Sequence, residues 1–502
     1  MRSNIAIHPS PAHRPSPVTL VIVHNTEPLF GMAGSSEVTS RFARVPSTER
    51  EVSLELGSRE EQFLVRRKYL VQLASNLYRF GCPVRRLESN MKIALETLGL
   101  EGSFGSLPGL IIASIGFIGS ADNQTIAINL HKGLDVNRYI NAEESIQRLV
   151  RLKRQVSAPA GVEGANGVGF VLGKESIQQE LEILKEMEKS QQYSLYGLKT
   201  RLAAYAAVAG SSVVVWPGSW RDALVMTFLG FLFVGVFSEF SFIKRSTGPL
   251  LEFFAAIGIA FVTQCLVTIP GQVFCYWTIS LGSAIWLLPG LSITTSTMEL
   301  SNGNIISGSV NFFYAVVTAL LLGFGLNIGQ SFVFWRPLDP NLACHRGFSD
   351  WWEILLFPVF IGSSLVLLNA PWRQWSGMFL SSLIGWIMYR AVSNMFIEAS
   401  AVVVAAGSVS LFAHVWHRLT RCHVVPQIMC GIFMLLPGSM GVRGGFAIIS
   451  ENYSGALSLG FSMFQTAISI TVGIFAASPI VEMLKLRRSL RKQMSMGNKD
   501  TF

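Results

Sequence analysis

The tetrapeptide Leu287-Leu288-Pro289-Gly290 occurs a second time as Leu435-Leu436-Pro437-Gly438. Both copies interrupt long apolar stretches of the chain. Proline removes a backbone hydrogen-bond donor and glycine weakens a helix, so each tetrapeptide predicts a broken helix. For either copy taken alone, a plain proline kink or a helix end at the membrane surface is the alternative.

Other short patterns recur at the same displacement of about 150 residues. Gly210-Ser211-Ser212, followed by Trp220-Arg221, returns with identical spacing as Gly362-Ser363-Ser364, followed by Trp372-Arg373. The shared order of these patterns predicts an internal repeat. Chance matches in an apolar chain of low complexity are the alternative.

Composition predicts that this repeat lies in a membrane. The chain has 502 residues, of which 50% are hydrophobic and 14% charged, whereas soluble domains carry about 25% charged residues. Most of its apolar segments are near the roughly 20 residues that a membrane-crossing helix needs, and segments of this length exclude a barrel. The ten segments are 200–217, 222–242, 250–269, 273–292, 305–333, 353–370, 375–394, 397–417, 424–440 and 455–482.

The count of segments predicts how the two copies are oriented. Each copy holds five crossings, an odd number, so the second copy enters the bilayer from the opposite side. The predicted fold is a mainly α-helical polytopic membrane protein whose ten transmembrane helices form two inverted five-helix repeats, 199–335 and 352–484. Secondary transporters use this architecture, with the site near the membrane midplane where the halves meet.

Charge and cysteines bear on orientation and compartment. The formal charge of +9 is attributed to basic ends of membrane spans, and no nucleic-acid partner is expected. The positive-inside rule predicts that both termini are cytosolic. The basic residues on that side are Lys244, Arg245, Arg373, Arg418, Arg421, Lys485, Arg487, Arg488, Arg491 and Lys492. Six cysteines without a CxxC pair argue against a disulfide framework or a zinc ribbon. The apolar run 18–23 is too short for a signal peptide, so the spans are expected to target the protein to a membrane that the sequence does not specify.

The remaining third of the chain reads as soluble. Helical spacing up to Gly81, a second helix between Pro83 and Gly99, and strands at 110–118 and 125–130 predict a small α/β domain. A phosphate-binding loop is disfavoured because Glu175 stands where such a loop requires Ser or Thr. The predicted divisions are a disordered tail 1–58, the α/β domain 59–156, a linker and charged helix 157–198, and a basic cytosolic tail 485–502.

The candidate substrate site consists of the two breaks and the polar residues that follow them. A broken helix exposes backbone N–H and C=O groups that suit a carboxylate and an ammonium. The candidate substrate-binding residues are Pro289, Gly290, Glu299, Asn302, Asn311, Pro437, Gly438 and Arg443.

Three of the charged groups have further roles or alternatives. Glu299 is suited to a substrate ammonium or to proton transfer, and Arg443 to a carboxylate; wet interfacial loops are the alternative for both. Glu239 is a second candidate for proton coupling, with a helix-end carboxylate near Lys244 and Arg245 as its alternative.

Other chemistry is not indicated. His414 and His417, with Cys422-His423 nearby, have no carboxylate close in sequence, so an interfacial cluster is favoured over a metal site. Because no nucleophile motif or HExxH appears, we expect no enzyme activity, no cofactor and no metal.

The sequence also resembles a known family. Gly81–Glu88 on a helix pair, Gly133-Leu134-Asp135, and five apolar helices that include Pro289-Gly290 resemble the threonine/serine exporter family, and 352–485 resembles its second five-helix half. A single chain with a polar N-terminus resembles the fungal, pheromone-regulated branch of that family. The resemblance implies proton-driven export of small hydroxy amino acids across a lipid bilayer. Export of small dicarboxylates, a non-transporting scaffold or signalling role, and a homo-oligomer remain open.

Overall fold

The computed structural model describes residues 21–23, 47–117, 124–130, 132–157, 173–189, 195–239, 250–269, 274–333 and 350–497. The chain forms two compact units. The first comprises Met1–Gly133 and Asn141–Lys189, and the second comprises Leu134–Ile140 and Ser190–Phe502. The short segment Leu134–Ile140 therefore groups with the apolar helices rather than with the soluble region that surrounds it in sequence.

A small sheet covered by helices forms the first unit. Its strands pair antiparallel in the order β1-β4-β3-β2. Alternation along β3 and β4 brings apolar residues to one buried face, where Ile111 pairs with Ile128 and Ala113 with Ile126. The elements are β1 (Val21–Val23), α1 (Ser47–Arg79), α2 (Val84–Leu98), β2 (Leu100–Leu107), β3 (Leu110–Phe117), β4 (Gln124–Asn129), α3 (Val136–Ser157) and α4 (Lys174–Lys189), and α3 up to Ile140 belongs to the second unit.

This unit differs from the sequence expectations in three places. Residues 21–23 form an edge strand and α1 begins at Ser47, both inside the stretch expected to be disordered. Strand β2 was not anticipated, because its sequence Leu-Glu-Gly-Ser-Phe-Gly-Ser-Leu lacks the β-branched residues typical of strands. The charged helix α4 groups with this unit, and the expected linker at 158–172 lies outside the described residues.

The second unit is helical apart from its connections. Its helices are α5 (Leu198–Ser211), α6 (Trp220–Glu239), α7 (Leu250–Val267), α8 (Tyr276–Ser283), α9 (Gly290–Ser301), α10 (Ile305–Ser331), α11 (Asp350–Leu367), α12 (Trp372–Ser393), α13 (Glu398–Thr420), α14 (Val424–Gly431), α15 (Gly438–Ile449) and α16 (Tyr453–Gly497). Within the described part, five helices are long and apolar enough to cross a membrane, or up to seven if each bent pair is one span. Each of the ten expected segments contains helix, but α5, α11 and α12 fall short in length or apolarity.

Both Leu-Leu-Pro-Gly sequences break a helix in the same way. In each case a helix of 8 residues is followed by a 3-residue 3₁₀ turn and then a helix of 12 residues. The helix bends by 58° between Tyr276–Ser283 and Ile285–Ser301, and by 44° between Val424–Leu435 and Gly438–Ile449. The two prolines have nearly the same conformation, with φ −78° and ψ 23° at Pro289 and φ −82° and ψ 21° at Pro437.

The helices pack in a reciprocal pattern. Helix α10 contacts α15 while α16 contacts α9, and α5 contacts α11. Glycines allow this close approach: a Cβ on Gly323 of α10 would lie 2.5 Å from the carbonyl oxygen of Val442 in α15. The unit thus has two parts, α5 to α10 and α11 to α16, and the helices of one part pack against those of the other in equivalent pairs, as in two-fold assemblies.

Two local features depart from simple expectation. Helix α6 contains a π-helical segment, Gly230–Val236, whereas α12 is α-helical throughout.

Cys275 is disulfide-bonded, although the spacing of the cysteines argued against a disulfide framework. Sequence spacing missed this bond because the analysis looked for closely spaced cysteine pairs, and Cys275 belongs to none.

Candidate functional site

The centre of the candidate site is the point where the two helix breaks touch. A Cβ on Gly290 would lie 2.9 Å from the backbone nitrogen of Gly438, and a Cβ on Gly438 would lie 2.9 Å from the backbone nitrogen of Gly290. Such a Cβ would also meet Leu436 or Leu288, respectively, at 3.0 Å. Only glycine permits this approach at either position.

Two helix N-termini therefore meet at this contact. Helices α9 and α15 begin at Gly290 and Gly438, and neither Pro289 nor Pro437 supplies a side-chain cap. The first N–H groups of a helix have no partner within it, and they carry partial positive charge. Both N-termini thus offer N–H donors to an anionic group of a ligand.

A cavity of about 440 Å³ borders this contact. Its volume lies within the roughly 300–1,000 Å³ typical of small-molecule sites. The breaks contribute 285–292 and Phe433, Met434, Leu436, Gly438 and Ser439 to its wall. Pro289, Gly290 and Gly438 thus line a cavity, while Pro437 lies next to its wall between Leu436 and Gly438.

Aromatic rings form part of the wall. Tyr205 packs edge-on against Trp286 at 6.3 Å between ring centroids, Trp286 lies 5.8 Å from Phe433, and Phe433 lies 6.2 Å from Phe360. All four line the cavity. Rings from both parts of the unit therefore enclose the same space and shield it from water.

One cation and one anion face the cavity. Among the described residues of the wall, Arg201 from α5 and Glu252 from the first turn of α7 are the charged side chains. Arg201 forms an ion pair with Glu239 at the end of α6, with 2.7 Å between nitrogen and oxygen. Hydroxyl groups of Tyr205, Ser292, Tyr314, Thr318 and Ser439 complete the polar part of the wall.

The segment 134–140 closes one side of this cavity. Leu134 lines the cavity, and the N–H of Val136 donates to the carbonyl of Leu368, another lining residue, at 3.1 Å. The Asp135 carboxylate accepts from the Asn369 amide at 2.9 Å and from the backbone N–H of Arg138 at 3.0 Å. Burial raises the pKa of Asp135, while these hydrogen bonds and the charges of Arg138 and Arg201 act in the opposite direction.

The structure places three of the sequence candidates in a separate polar cluster. Glu299 is 5% exposed and accepts hydrogen bonds from Ser307 at 2.9 Å and Asn311 at 3.3 Å. Asn302 caps the end of α9 and donates to the carbonyl of Met298. This cluster lies at the opposite end of α9 from Gly290, and none of these residues is in the described wall of the cavity.

Two further candidates have contacts that sequence reasoning did not anticipate. The guanidinium of Arg443 stacks over Trp277 at 5.2 Å from the ring centroid, and Arg443 is not among the described lining residues. Glu239 pairs with Arg201; Lys244 and Arg245, named in the alternative interpretation of Glu239, lie outside the described residues. The histidines His414 and His417 bond through Nδ1 to the backbone carbonyls of Ser410 and Cys422.

Sequence reasoning missed Arg201 and Glu252, yet the repeat contains a signal for Arg201. Arg201 and Glu353 each lie nine residues before a Gly-Ser-Ser sequence. Glu353 forms an ion pair with Arg390 of α12, just as Arg201 pairs with Glu239 of α6. The two pairs are equivalent in position and opposite in sign, so aligning the two copies would have found them.

Comparison with known proteins identifies the family of these helices. Residues 169–333 match the family model described as "Putative threonine/serine exporter", and residues 353–480 match the model described as "Threonine/Serine exporter, ThrE". Each match contains one of the two helix breaks and ends before the C-terminal basic tail. No solved structure matches the chain.

Fungal proteins are similar over most of the chain. An uncharacterized protein of Schizosaccharomyces pombe is 26% identical over 85% of this chain and 56% of its own length. The pheromone-regulated membrane proteins 10 of Debaryomyces hansenii and Kluyveromyces lactis are each 25% identical, over 83% and 87% of this chain and 42% and 45% of their own lengths. The chain thus spans about half the length of these relatives. With both family models matched in order along a multi-pass helical unit, the chain belongs to the threonine/serine exporter family.

Proposed function

We propose that the protein is a secondary transporter that exports small amino acids such as threonine and serine by alternating access. The observation that carries this proposal is the reciprocal contact of Gly290 and Gly438 at the wall of a cavity. Transporters built from repeats commonly place their site where two broken helices meet. The family match supports the same function.

The proposed architecture is ten membrane-crossing helices in two inverted repeats of five. Helices α5 to α10 and α11 to α16 supply equivalent elements in the same order, with each bent pair counted as one crossing. The reciprocal packing of α10 on α15 and of α16 on α9 supports a two-fold relation between the repeats. Five crossings in each repeat would then invert the second relative to the first.

The chemistry of the cavity favours a zwitterion over a dicarboxylate. A substrate carboxylate would bind near the N-termini of α9 and α15 and near Arg201, which supply positive charge. A substrate ammonium would bind near Glu252. A second carboxylate would have to approach Glu252 or an apolar part of the wall, both of which are unfavourable.

We assign proton coupling to Glu239 and Glu299. Glu239 is paired with a residue of the cavity wall, so its protonation would release Arg201 toward a substrate. Glu299 is buried beside Ser307 and Asn311, which would hold it in either protonation state because a hydroxyl both donates and accepts.

We propose that both termini lie in the cytosol of the host cell. In the ten-helix order, Cys275 falls on the side opposite to Lys244 and Arg245, and disulfides persist on the oxidising side of a membrane. An impermeant thiol reagent added to intact cells after mild reduction should label Cys275. Labelling only in inverted vesicles would reverse the orientation.

The test of the function is transport by purified protein in liposomes. We expect counterflow of radiolabelled threonine and serine, with succinate carried at least about tenfold more slowly. Glu252→Gln should lower threonine counterflow at least about tenfold, because a lost charge–charge contact is worth about 1.4 kcal/mol or more. The matched control is Glu398→Gln, which alters the first-turn acid of the equivalent helix α13, outside the described wall of the cavity.

Three outcomes separate the proposals. Threonine counterflow with loss in Glu252→Gln alone supports the assigned site. Faster succinate flux would make the protein a dicarboxylate exporter. Absence of flux for every amino or carboxylic acid tested would leave the scaffold or signalling role as the function.

A further inference from the structure

A short segment from outside both proposed repeats reaches the cavity. This segment, Leu134–Ile140, groups with the helical unit and is here called the strap. Within it, Val136, Tyr139 and Ile140 are at most 5% exposed. Leu134 differs, because it lines the cavity and is 37% exposed. The strap is therefore anchored by its buried residues and holds one apolar side chain at the cavity.

The strap is bound to the turn between α11 and α12, residues 368–370. The N–H of Val136 donates to the carbonyl of Leu368 at 3.1 Å, and the Asn369 amide donates to both carboxylate oxygens of Asp135, at 2.9 and 3.0 Å. Arg138 forms an ion pair with the same carboxylate at 3.4 Å. Because hydrogen bonds to water can replace those between strap and turn, they favour the bound strap without making it permanent.

Asn369 is the centre of this attachment. Its φ of 53° is left-handed, a conformation that asparagine tolerates better than most residues. While its Nδ2 donates to Asp135, its Oδ1 accepts from the backbone N–H of Leu195 at 2.9 Å. The equivalent turn of the first repeat, 216–218, is held from within its own repeat, by a hydrogen bond from Thr278 to one of its carbonyls. The strap is thus an addition to one repeat, and a rocking movement of the two repeats does not require it.

The bound strap opposes a substrate in two ways. Leu134 occupies part of one side of the cavity, together with Leu367 and Leu368 of the second repeat. Asp135 is close enough to Arg201 that the arginine charge opposes the rise that burial causes in the pKa of Asp135. A substrate carboxylate that approaches Arg201 would therefore be repelled by Asp135.

Resting on the proposed transport function, we infer that Leu134–Ile140 is an autoinhibitory strap, which closes one side of the cavity while it is bound to the turn 368–370. Its release takes Leu134 out of the wall and Asp135 away from Arg201, and substrate then passes on that side. The strap includes the first turn of α3, and α3 from Asn141 onward belongs to the first unit. A movement of that helix would be passed to the cavity, which is a form of control that two repeats alone lack.

Labelling of the cavity wall by a thiol reagent tests this inference. The reporter is Thr318→Cys, because Thr318 lines the cavity. It is placed in the full chain with Cys82, Cys265, Cys422 and Cys430 replaced by alanine, since these four thiols are free. The rate of its reaction with maleimide is measured on purified protein in detergent, and the same protein without the reporter sets the baseline.

Two variants weaken the strap in different ways. Asn369→Gly removes the amide and keeps the left-handed backbone accessible. Leu134→Ala leaves the hydrogen bonds of the strap in place and removes only the side chain at the cavity, so it carries the test if Asn369→Gly fails to fold. Leu195→Ala is the matched control, because Leu195 is also an exposed leucine, bonds to Asn369 through its backbone and is not in the described wall.

Both variants should raise the labelling rate at least about threefold, because that rate follows the fraction of molecules in which the cavity is open. Threonine counterflow should rise as well, since the opening of a lid often limits turnover. Leu195→Ala should match its parent in both measurements. Labelling that stays unchanged in both variants, or that rises equally in Leu195→Ala, would overturn the autoinhibitory strap.

The results for the strap and for transport can be told apart. Faster labelling in both variants without flux of any amino or carboxylic acid would support the strap and refute transport. Threonine counterflow with unchanged labelling would overturn the strap and leave the transport function intact. A fall in counterflow in Leu134→Ala, at an unchanged midpoint of thermal unfolding, would make Leu134 part of the binding site and overturn its restraining role.

Discussion

In the proposed two-repeat architecture, the first repeat (α5 to α10) and the second repeat (α11 to α16) share their backbone geometry at the helix breaks and differ in their side chains. The breaks at Pro289 and Pro437 agree in φ and ψ within a few degrees, and Gly290 and Gly438 approach each other equally closely. The ion pairs, by contrast, have opposite polarity, and both charged side chains in the described wall of the cavity, Arg201 and Glu252, belong to the first repeat. Repeated glycine and proline thus set the fold, whereas the unrepeated charges give the site its chemistry.

The largest loss of transport and stability is expected at the contact between Gly290 and Gly438, where the proposed repeats are most alike. Gly290→Ala and Gly438→Ala each introduce a methyl group 2.9 Å from a backbone nitrogen, so something must shift. Overpacking of this kind costs about 1–3 kcal/mol. Threonine counterflow should fall at least about tenfold in both variants, and the midpoint of thermal unfolding in detergent should fall equally.

Gly460→Ala is the control for this pair, because no heavy atom lies within 4 Å of a Cβ at Gly460. Its flux and unfolding midpoint should match those of the wild type. A large loss of counterflow and stability in Gly290→Ala, with none in Gly438→Ala, would contradict the equivalence of the two positions.

Neutralising the arginine of each ion pair should separate stability from transport. Arg201→Gln and Arg390→Gln each leave a carboxylate that is 9% exposed without its ion-pair partner, so both should lose roughly the same stability, about 1–3 kcal/mol. Arg201 faces the cavity and Arg390 does not, so counterflow should fall about tenfold in the first variant and less than about threefold in the second. Equal transport loss at matched protein stability would contradict the assignment of Arg201 to the site.

Glu299 has no acidic equivalent, since the corresponding position in the second repeat is Ala447. In Glu299→Gln the side chain can still accept from Ser307, so stability should change by less than about 1 kcal/mol. Uptake driven by a pH gradient should fall severalfold, while threonine counterflow without a gradient stays near the wild-type rate. Retention of gradient-driven uptake would remove Glu299 from proton coupling.

The smallest effect, a change in stability with pH, is expected at the turn between α11 and α12. This turn is held by Asp135 through Asn369, whereas the equivalent turn before α6 is held by Thr278, which donates to the carbonyl of Pro217. Burial raises the pKa of Asp135 above 3.8 in the folded state. Its contribution to stability is thus fully present below about pH 3.8 and is lost as the pH rises through the folded pKa.

The difference in unfolding midpoint between the wild type and Asp135→Asn should therefore decrease as the pH rises from about 3 to about 7. Asn369→Ala keeps the carboxylate but removes a hydrogen bond that lowers the pKa of Asp135, so it should show a pH dependence of the same sign as the wild type and at least as large. An identical pH profile for wild type and Asp135→Asn would exclude Asp135 as its source.

Local sequence predicted the breaks well and the site poorly, for different physical reasons. Proline and glycine act on their own backbone, so Leu-Leu-Pro-Gly was sufficient to place both breaks. The residues of the cavity wall come from helices far apart in sequence, such as Arg201, Glu252 and Thr318. Their proximity depends on packing, which no local pattern encodes.

Polar residues near a break in sequence were poor guides to the cavity. Glu299 and Arg443 follow Gly290 and Gly438 along their helices, but a helix rises 1.5 Å per residue and carries them away from the crossing. The segment 134–140 was likewise assigned to the soluble domain by its position in sequence, although it groups with the helical unit. The number of crossings also depends on packing, because a short helix such as α5 lacks the length that sequence patterns require.

The π-helical segment Gly230–Val236 explains a mismatch of one residue between the repeats. Glu239 lies 19 residues after Trp220, while its counterpart Arg390 lies 18 residues after Trp372. Insertion of one residue into a helix turns everything beyond it by about 100°. The wider π turn absorbs that residue, so Glu239 reaches Arg201 just as Arg390 reaches Glu353. A change that made Gly230–Val236 regularly α-helical at the same length would therefore turn Glu239 away from Arg201.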